Sequence, residues 1–251
     1  MPDSILQAVQ LYKQYTTRQG NLSAIEDVSF EVGPGEFLCV VGPSGCGKST
    51  LLRILAGLLK SDHGQVYLHN QLLQGPCKEI GVVFQKANLM PWRTVFDNVM
   101  LPMQVKHSPL VEAKQRVSQA LELVGLMEFA DSYPHELSGG MAQRVAIARA
   151  LSYEPEILLL DEPFGALDAL TREHLNQEIM RVWEISQKTV VMVTHNIREA
   201  VYLADRVLVL TQRPGRVAKI IPVTLPRPRP ISMIYSDSFG ILAYEVRQAI
   251  Q

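Results

Sequence analysis

The stretch that most constrains this chain is a nine-residue glycine-rich segment, GPSGCGKST, at positions 42–50. It follows a compact apolar run, Phe37–Val41, and precedes an apolar-periodic segment, Leu51–Ala56, an order that predicts a strand, a tight loop and a helix. Glycines let the loop bring its N–H groups close to an anion, and the new helix directs the positive end of its dipole at the same point. We therefore predict a polyphosphate site formed by the whole segment: Gly42, Pro43, Ser44, Gly45, Cys46, Gly47, Lys48, Ser49 and Thr50.

Two side chains of this segment have specific predicted roles. Lys48 is long enough to reach the β- and γ-phosphates, and Ser49, directly after it, offers a hydroxyl for Mg²⁺. The alternative is a glycine-rich turn that binds nothing. The strand on one side and the helix on the other disfavour that alternative, because they are the context that the motif requires.

The composition bounds the class of protein. With 251 residues, of which 47% are hydrophobic, the chain can form one domain with a sizeable core. Its formal net charge of −1 offers no electrostatic footprint for nucleic acid, so nucleic acid is not expected as a partner. The three cysteines, Cys39, Cys46 and Cys77, lack metal-binding spacing and suit a reducing compartment.

The N-terminal residues lack the pattern of a secretory signal, and no apolar run approaches the roughly 20 residues that span a bilayer. We therefore expect a soluble, cytoplasmic chain, which a partner holds in place if it works at a membrane.

Short apolar strands alternate with helical patterns over most of the chain, which predicts the α/β class with a mostly parallel core sheet. Alternating residues at Ile5–Tyr15 and Ala24–Val32 predict an added antiparallel hairpin. Strand patterning disappears in the middle of the chain, where Val111–Gly125 and Met141–Leu151 have helical periodicity. We predict a single domain with an α/β core at 1–86 and 152–225, an inserted helical sub-domain at 87–151, and a short C-terminal extension at 226–251.

Two carboxylates follow a buried strand. Asp161 ends the apolar run Ile157–Leu160, and Glu162 is the next residue. Strand ends of a parallel sheet form its ligand crevice, so Asp161 is predicted to hold Mg²⁺ and Glu162 to accept a proton from water that attacks the γ-phosphate. The alternative is a solvated acidic strand end before a proline turn.

Three further features carry less specific predictions. Ser138, Gly139 and Gly140 form a second glycine-rich step into a helix, which would bind another anion, complete a nucleotide site on a partner molecule, or act as an ordinary N-cap. His195 ends the strand Val190–Thr194 and would contact the γ-phosphate or be structural. Gln85 follows another strand and would orient water, ligate Mg²⁺, or do neither.

Together these motifs resemble those of an ATPase subunit of the ATP-binding cassette (ABC) transporter family. The resemblance covers nearly the whole chain, in order and approximate spacing: Gly42–Thr50, Gln85, Leu137–Gly140, Ile157–Glu162, Gly165–Asp168 and His195. It implies a P-loop NTPase of ABC ATPase type that binds ATP and Mg²⁺ and works as a head-to-tail dimer of two ATPase subunits, with two ATP molecules between them.

The resemblance also implies residue roles. Tyr15 would stack on the adenine, Gln85 would be the Q-loop glutamine, and His195 the switch histidine. Asp168 would be the D-loop aspartate, and Ser138, Gly139 and Gly140 would contact the ATP held by the opposite subunit. The second glycine-rich segment, Leu137–Met141, would be the signature motif of this family. Its fifth residue is usually glutamine, whereas here it is Met141. Activity is expected to survive, because the anion cradle needs only the serine and the two glycines.

Other segments look like those of the nitrate, sulfonate and taurine import group. These are Leu89–Trp92, Pro163–Asp168 and Pro226–Arg229, although Pro226–Pro230 alone would also fit a stiff polyproline linker. The resemblance implies an integral membrane permease and, indirectly, a substrate-binding protein as partners, and a peripheral location on the cytoplasmic face of the bacterial inner membrane. The alternatives are a soluble ABC-type ATPase without transport and an ABC subunit for another solute class. The partners select the solute, so this chain does not reveal it, and a homodimer and a heterodimer both stay open.

Residues 87–103 hold apolar side chains that look exposed. We interpret them as a groove for a short permease helix, the alternative being local core of the sub-domain. The side chains are Leu89, Met90, Trp92, Val95 and Phe96.

Overall fold

The computed structural model describes residues 4–17, 20–165 and 168–250. The chain divides into two compact units, Met1–Cys77 with Lys188–Gln251, and Lys78–Gln187. In chain order the strands and helices are β1 (Leu6–Thr17), β2 (Gly20–Val32), β3 (Phe37–Val41), α1 (Lys48–Leu55), β4 (His63–Leu68), β5 (Gln71–Leu72), β6 (Ile80–Val83), α2 (Val95–Val105), α3 (Leu110–Leu123), α4 (Gly139–Leu151), β7 (Ile157–Asp161), α5 (Ala169–Ser186), β8 (Thr189–Thr194), α6 (Ile197–Leu203), β9 (Arg206–Leu210), β10 (Val217–Pro222) and α7 (Asp237–Ile250).

The first unit begins with a small antiparallel sheet in the order β2-β1-β4-β5. β1 and β2 form the predicted hairpin, with Leu6 opposite Val32 and Thr17 opposite Gly20. Leu11 in β1 and Val28 in β2 are fully buried, as the alternation of apolar residues requires when one face of a sheet packs on a core. The antiparallel β part is therefore confirmed.

The same unit holds strands in the order β10-β9-β3-β8, of which β9, β3 and β8 are parallel and β10 pairs antiparallel with β9. β3 pairs in parallel with β8 and β9, and all five of its residues are buried, which explains its unbroken apolar run. Helix α6 packs against β3 and β8, and α1 packs against β8 and β2. Val41 at the end of β3 lies opposite Thr194 at the end of β8, so Gly42 and His195 leave adjacent strands in the same direction.

The proline-arginine segment Pro226–Pro230, after β10, forms a clamp on α6: its Arg229 binds the C-terminal end of that helix. Arg229 is 4% exposed and donates hydrogen bonds to the carbonyl oxygens of Val201, Tyr202 and Ala204 at distances of 2.8–3.3 Å. The last carbonyls of a helix have no partner within the helix, so these bonds satisfy groups that α6 leaves open. Burial, with a contribution from neighbouring Arg227, lowers the pKa of Arg229 to about 10, which still leaves it charged at neutral pH.

Helix α7 closes the first unit, packing on α6, β9 and β10. Its periodicity predicts a start at Tyr244, whereas it starts at Asp237. The buried Phe239 and Val246 lie seven residues apart, which places them two helical turns apart on one face.

The second unit contains the parallel pair β6–β7 and the helices α2 to α5. Helices α2, α3 and α4 pack on one another, and α4 also packs on β6 and α5. Helices α3 and α4 confirm the predicted helical segments within one or two residues. The strand β7, with all five residues buried, is likewise confirmed.

Helix α2 has no counterpart in the sequence prediction. Val95, Val99 and Met103 recur every fourth residue and are at most 2% exposed, so they form the inward face of α2. The prediction that Val95 belongs to an exposed groove is therefore wrong, because a helix with Thr94 as its N-cap turns it into the core. Trp92, just before this helix, is 72% exposed.

Candidate functional site

The glycine-rich loop follows β3 and opens α1, as predicted. Gly47 is the N-cap of α1 and has φ +104°, a conformation that side chains with a Cβ rarely adopt. A Cβ at Gly47 would also lie 2.6 Å from the carbonyl oxygen of Ala24 in β2. Glycine is therefore required at this position both by the backbone conformation and by the close approach of a neighbouring strand.

Lys48 holds its charge inside the loop. It is only 5% exposed, and its Nζ donates to the carbonyl oxygens of Gly42 at 2.9 Å and Pro43 at 3.0 Å. A buried ammonium is tolerated only where it is hydrogen-bonded. The positive charge is thereby fixed at the N-terminus of α1, where the helix dipole is also positive.

Two more side chains complete the surroundings of the loop. The hydroxyl groups of Tyr15 and Thr50 lie 3.2 Å apart, which places the ring of Tyr15 beside the first turn of α1. Burial raises the pKa of the Cys46 thiol, and Lys48 opposes this shift, so the thiol stays protonated at neutral pH. In the first unit the structure therefore brings Tyr15 to the glycine-rich loop.

His195 is exposed at the end of β8. The residues on either side of it are both bonded to Glu199, which is 4% exposed: Thr194 Oγ1 at 2.6 Å from Oε2, and Asn196 Nδ2 at 3.3 Å from Oε1. Asn196 also caps α6 by accepting from the backbone N–H of Arg198. Sequence reasoning missed Glu199. Its position in the first turn of a helix, four residues after His195, is the signal that could have found it.

In the second unit, Asp161 is the last residue of β7 and is 6% exposed. Glu162 follows with φ +43°, a left-handed conformation that is strained for a residue with a side chain. A Cβ added to Gly165 would lie 3.1 Å from Gln85 Nε2 and 3.5 Å from Glu162 Oε2. The structure thus brings Gln85 and Glu162 to the same point.

The second glycine-rich segment leads into α4. Ser138 is its N-cap and accepts a hydrogen bond from the backbone N–H of Met141 at 3.2 Å. Ser138 and Gly139 are exposed. Gly140 is buried where α4 meets α5, and a Cβ there would lie 3.2 Å from Thr171 Cγ2. The first part of this segment is therefore accessible, and the second part is helix packing.

Asp168 is exposed and caps α5, as predicted. It accepts hydrogen bonds from the Thr171 hydroxyl at 2.7 Å and the Thr171 backbone N–H at 3.0 Å. These bonds, that of the hydroxyl first, lower the pKa of the Asp168 carboxyl. Ala166 and Leu167 of the same motif lie outside the described residues.

The predicted site residues divide between the two units. The first unit contains Tyr15, the loop 42–50 and His195, and the second contains Gln85, Ser138–Gly140, Asp161, Glu162 and Asp168. Among the residues that the structure describes, no group of three or more histidine, cysteine, aspartate or glutamate side chains is placed to hold a metal ion. The predicted Mg²⁺ ligands are a hydroxyl, an amide and one carboxylate, so they are not such a cluster.

Comparison with known proteins identifies the family. The model of the ABC transporter family matches residues 25–165, which include the glycine-rich loop, the second glycine-rich segment and both carboxylates. The chain belongs to the ABC transporter ATP-binding family and is an ATPase of that family. The predicted family, fold class and enzyme activity are therefore confirmed.

The similar proteins include importer subunits. The nitrate import ATP-binding protein NrtD of Synechococcus elongatus is 47% identical over 228 residues, covering 90% of this chain and 83% of that protein. The aliphatic sulfonates import ATP-binding protein SsuB of Bacillus licheniformis is 51% identical over 207 residues, covering 82% of this chain and 80% of that protein.

Among solved structures, the ATP-binding cassette MJ0796, a dimer in a post-hydrolysis state bound to ADP and phosphate, matches with a TM-score of 0.77 at 35% identity. The match covers 88% of this chain and all of that chain. Within the described part of this chain, none of the helices combines the length and the apolar character needed to cross a membrane.

Proposed function

We propose that this ATPase powers the import of a small solute, such as nitrate, a sulfonate or taurine, through an integral membrane permease. The names of the similar proteins, which include nitrate and aliphatic sulfonate importers, support this class of solute. The chain would lie peripherally on the cytoplasmic face of the bacterial inner membrane. A substrate-binding protein would deliver the solute to the permease and so act on this chain only indirectly.

The observation that carries the nucleotide assignment is the burial of Lys48 inside the glycine-rich loop. With its ammonium held at the N-terminus of α1, the loop presents fixed positive charge and backbone amides to the β- and γ-phosphates. Tyr15, beside Thr50, would stack on the adenine. The whole loop from Gly42 to Thr50 would thus hold ATP before any other part of the site engages it.

Magnesium would be held by Ser49, Gln85 and Asp161 together with phosphate oxygens. A hydroxyl, an amide oxygen and one carboxylate suit Mg²⁺, which takes few protein ligands and keeps phosphate and water oxygens around it. The bound ion supplies neutralisation of charge on the transferred phosphoryl group. The burial of Asp161 at the end of β7 fixes its carboxylate for this role.

Glu162 would take the proton from the attacking water. Its left-handed backbone conformation directs the chain sharply out of β7, and its carboxylate and the Gln85 amide approach the same point. An amide beside the base can orient the same water molecule. His195, held by the bonds of its neighbours to Glu199, would contact the γ-phosphate.

A second copy of the chain, or a closely similar subunit, would complete the site in a head-to-tail dimer. Ser138, Gly139 and Gly140 would contact the ATP held by the opposite subunit, and Asp168 would lie at the same interface. The exposure of Ser138 and Gly139 at the start of α4 supports this role, because the amides of a helix start bind anions when they are accessible.

The permease would dock on residues 87–103, within the helical sub-domain proposed for 87–151. Trp92 is 72% exposed there, and exposed tryptophan is typical of interaction sites. Asn98, fully buried in α2, accepts from the Met90 backbone N–H at 2.7 Å and donates to the carbonyl oxygens of Met90 and Arg93. The loop that carries Trp92 is therefore held in place by α2. It would stay rigid and would transmit movement at Gln85 to the docked permease.

The substitution Glu162→Gln tests the catalytic assignment. It removes the base but preserves the shape of the side chain, so we expect hydrolysis to fall by about 10²-fold or more, while ATP stays bound and a stable dimer accumulates. Phosphate release and size-exclusion chromatography with ATP measure the two effects. Glu156→Gln, at an exposed position before β7, is the matched control. Parental hydrolysis by Glu162→Gln would show that the base is misassigned.

Affinity purification of the tagged chain from membranes of its own host tests the transport assignment. Co-purification of an integral permease, with loss of growth on nitrate or on an alkanesulfonate when the gene is deleted, is the expected result. Recovery with ribosomes and without a permease would contradict it.

A further inference from the structure

We propose that the turn between β9 and β10, residues 211–216, is a brace that fixes the glycine-rich loop, with Arg213 as a positioning residue for ATP binding. The sequence motifs leave this turn, TQRPGR, without a role. The inference rests on the proposed function of the loop as the ATP cradle. Every contact that carries it lies within the first unit.

The backbone of the turn packs directly on the loop. Gly215 is buried, and a Cβ added to it would collide with the carbonyl oxygen of Cys46. Only a residue without a side chain therefore allows this approach. The turn meets the loop at its central peptide groups, between Gly45 and Gly47.

Arg213 adds a side-chain contact to the preceding peptide group. Its Nε donates to the carbonyl oxygen of Gly45 at 2.9 Å, and its Nη2 lies 2.6 Å from the place where a Cβ of Gly45 would stand. Hydrogen bonds with a charged donor are stronger than neutral ones. The guanidinium also places positive charge beside the loop, and its influence reaches the neighbouring Cys46 thiol, where it opposes the rise of the pKa that burial causes.

These two contacts fix the direction of the loop's amides. In a trans peptide the C=O and N–H groups point in opposite directions. Because the carbonyl oxygens of Gly45 and Cys46 both face the turn, the N–H groups of Cys46 and Gly47 point away from it. The Cys46 N–H donates to the Pro43 carbonyl oxygen at 3.3 Å within the loop. In this proposal the Gly47 N–H is the amide that the loop would present to the phosphates.

The turn is itself firmly held. The Gly215 N–H donates to the Ala24 carbonyl oxygen and the Glu26 N–H donates to the Gly215 carbonyl oxygen, both at 3.0 Å, so β2 anchors it. Within the turn, the Thr211 hydroxyl donates to the Pro214 carbonyl oxygen at 3.1 Å and accepts from the Arg216 N–H at 3.0 Å. The same Ala24 carbonyl oxygen limits the space at Gly47, so strand β2 and the turn hold the loop from two directions.

The test compares Arg213→Met with Arg216→Met. Methionine keeps much of the length of arginine but removes the donor and the charge. Arg216, in the same turn, forms an ion pair with Glu26 at 3.0 Å and serves as the matched control. For Arg213→Met we expect the Kd of ATP, measured by competition with the fluorescent analogue TNP-ATP, to rise by about threefold to tenfold, with kcat at saturating ATP within about twofold of the parent. Arg216→Met should leave the Kd unchanged, and Arg213→Lys, which keeps the charge, should recover part of the affinity.

The outcomes separate this inference from the proposed function. A parental Kd for Arg213→Met overturns the brace, as does a lowered Tm without a change in Kd, which would show a purely structural role. If Lys48→Ala weakens ATP binding in the same series, the cradle assignment stands even when the brace fails. If Lys48→Ala also binds ATP like the parent, the proposed function itself fails. Gly215→Ala, which moves the loop through the backbone alone, should raise the Kd at unchanged charge.

Discussion

The chain passes through glycines into a helix at two places, and the two segments are built differently. At 42–50 the loop surrounds a lysine that is 5% exposed, and β2 approaches so closely that Gly47 has no space for a side chain. Ser138 and Gly139 are exposed, and the segment is held by hydrogen bonds within its own helix start: the Met141 N–H donates to the Ser138 hydroxyl oxygen and the Ala142 N–H to the Ser138 carbonyl oxygen.

The difference shows that glycine content alone does not make a cradle. The loop at 42–50 is preorganised, because neighbouring segments fix its peptide groups and its charge before a ligand arrives. The segment at Ser138 offers accessible amides without a lysine of its own. This agrees with the proposal that the first loop binds ATP by itself, whereas the second contributes only when another subunit brings ATP to it. The following substitutions test that contrast.

Lys48→Ala should have the largest effect. It removes the buried charge of the first loop, so we expect ATP hydrolysis to fall by about 10²-fold or more at every protein concentration. Steady-state phosphate release measures this, and Lys60→Ala, at an exposed position of the same unit, is the control. Activity near the parental value would show that the first loop is not the ATP cradle.

Gly47→Ala should come next. The new Cβ would meet the Ala24 carbonyl oxygen, which is backbone and cannot move freely, and φ +104° is strained for alanine. We expect ATP binding to weaken by about tenfold, measured by titration with TNP-ATP. Gly20→Ala is the matched control, because Gly20 has φ +114° but open space around it. Equal affinities for the two variants would contradict the role of the close contact.

Ser138→Ala should have a smaller effect that depends on dimer formation. Loss of the N-cap bond lowers the free energy of unfolding by about 1 kcal/mol, as it should for Thr94→Ala at the start of α2. We expect Ser138→Ala alone to reduce hydrolysis, with unchanged ATP affinity at dilute protein. Urea unfolding and hydrolysis across a concentration series measure both effects. Equal hydrolysis by the two variants would remove the proposed role of this segment.

Met141→Gln should change least. The contact of Met141 with its own loop is through the backbone N–H, which glutamine retains. We expect hydrolysis within about threefold of the parent, since a single neutral hydrogen bond contributes about 1 kcal/mol. Met127→Gln, at a half-exposed position of the same unit, is the control. A larger change than threefold would show that the fifth side chain itself contacts the nucleotide.

Most of the fold follows from local patterns. The five-residue apolar run of β3 and the alternation in β1 and β2 predict those strands, because burial on two faces and on one face leave different periodicities. Helix α2 was not predicted, because the tryptophan, methionine and phenylalanine residues in and around it obscure the helical periodicity of its buried face, which includes Val95 and Val99. A strict count of i, i+4 positions would have found it.

Other features depend on contacts between distant parts of the chain. Arg229 reaches carbonyl groups 25–28 residues earlier in the chain, and no periodicity encodes that clamp. Such a partner cannot be found by reading along the sequence, since its distance along the chain follows from the tertiary fold.

Local pattern was sufficient to identify the class of protein, because the loop at 42–50 and the five other motifs demand residue types at fixed local spacing. The adjacency of the strands that Gly42 and His195 leave came from the folded chain, since strand order is not written in local pattern. Folding also placed Gly215 and Arg213 against the loop, from a segment more than 160 residues away. A backbone approach that close exists only when the chain has folded, which is why the glycine-rich loop was recognisable in advance and its support was not.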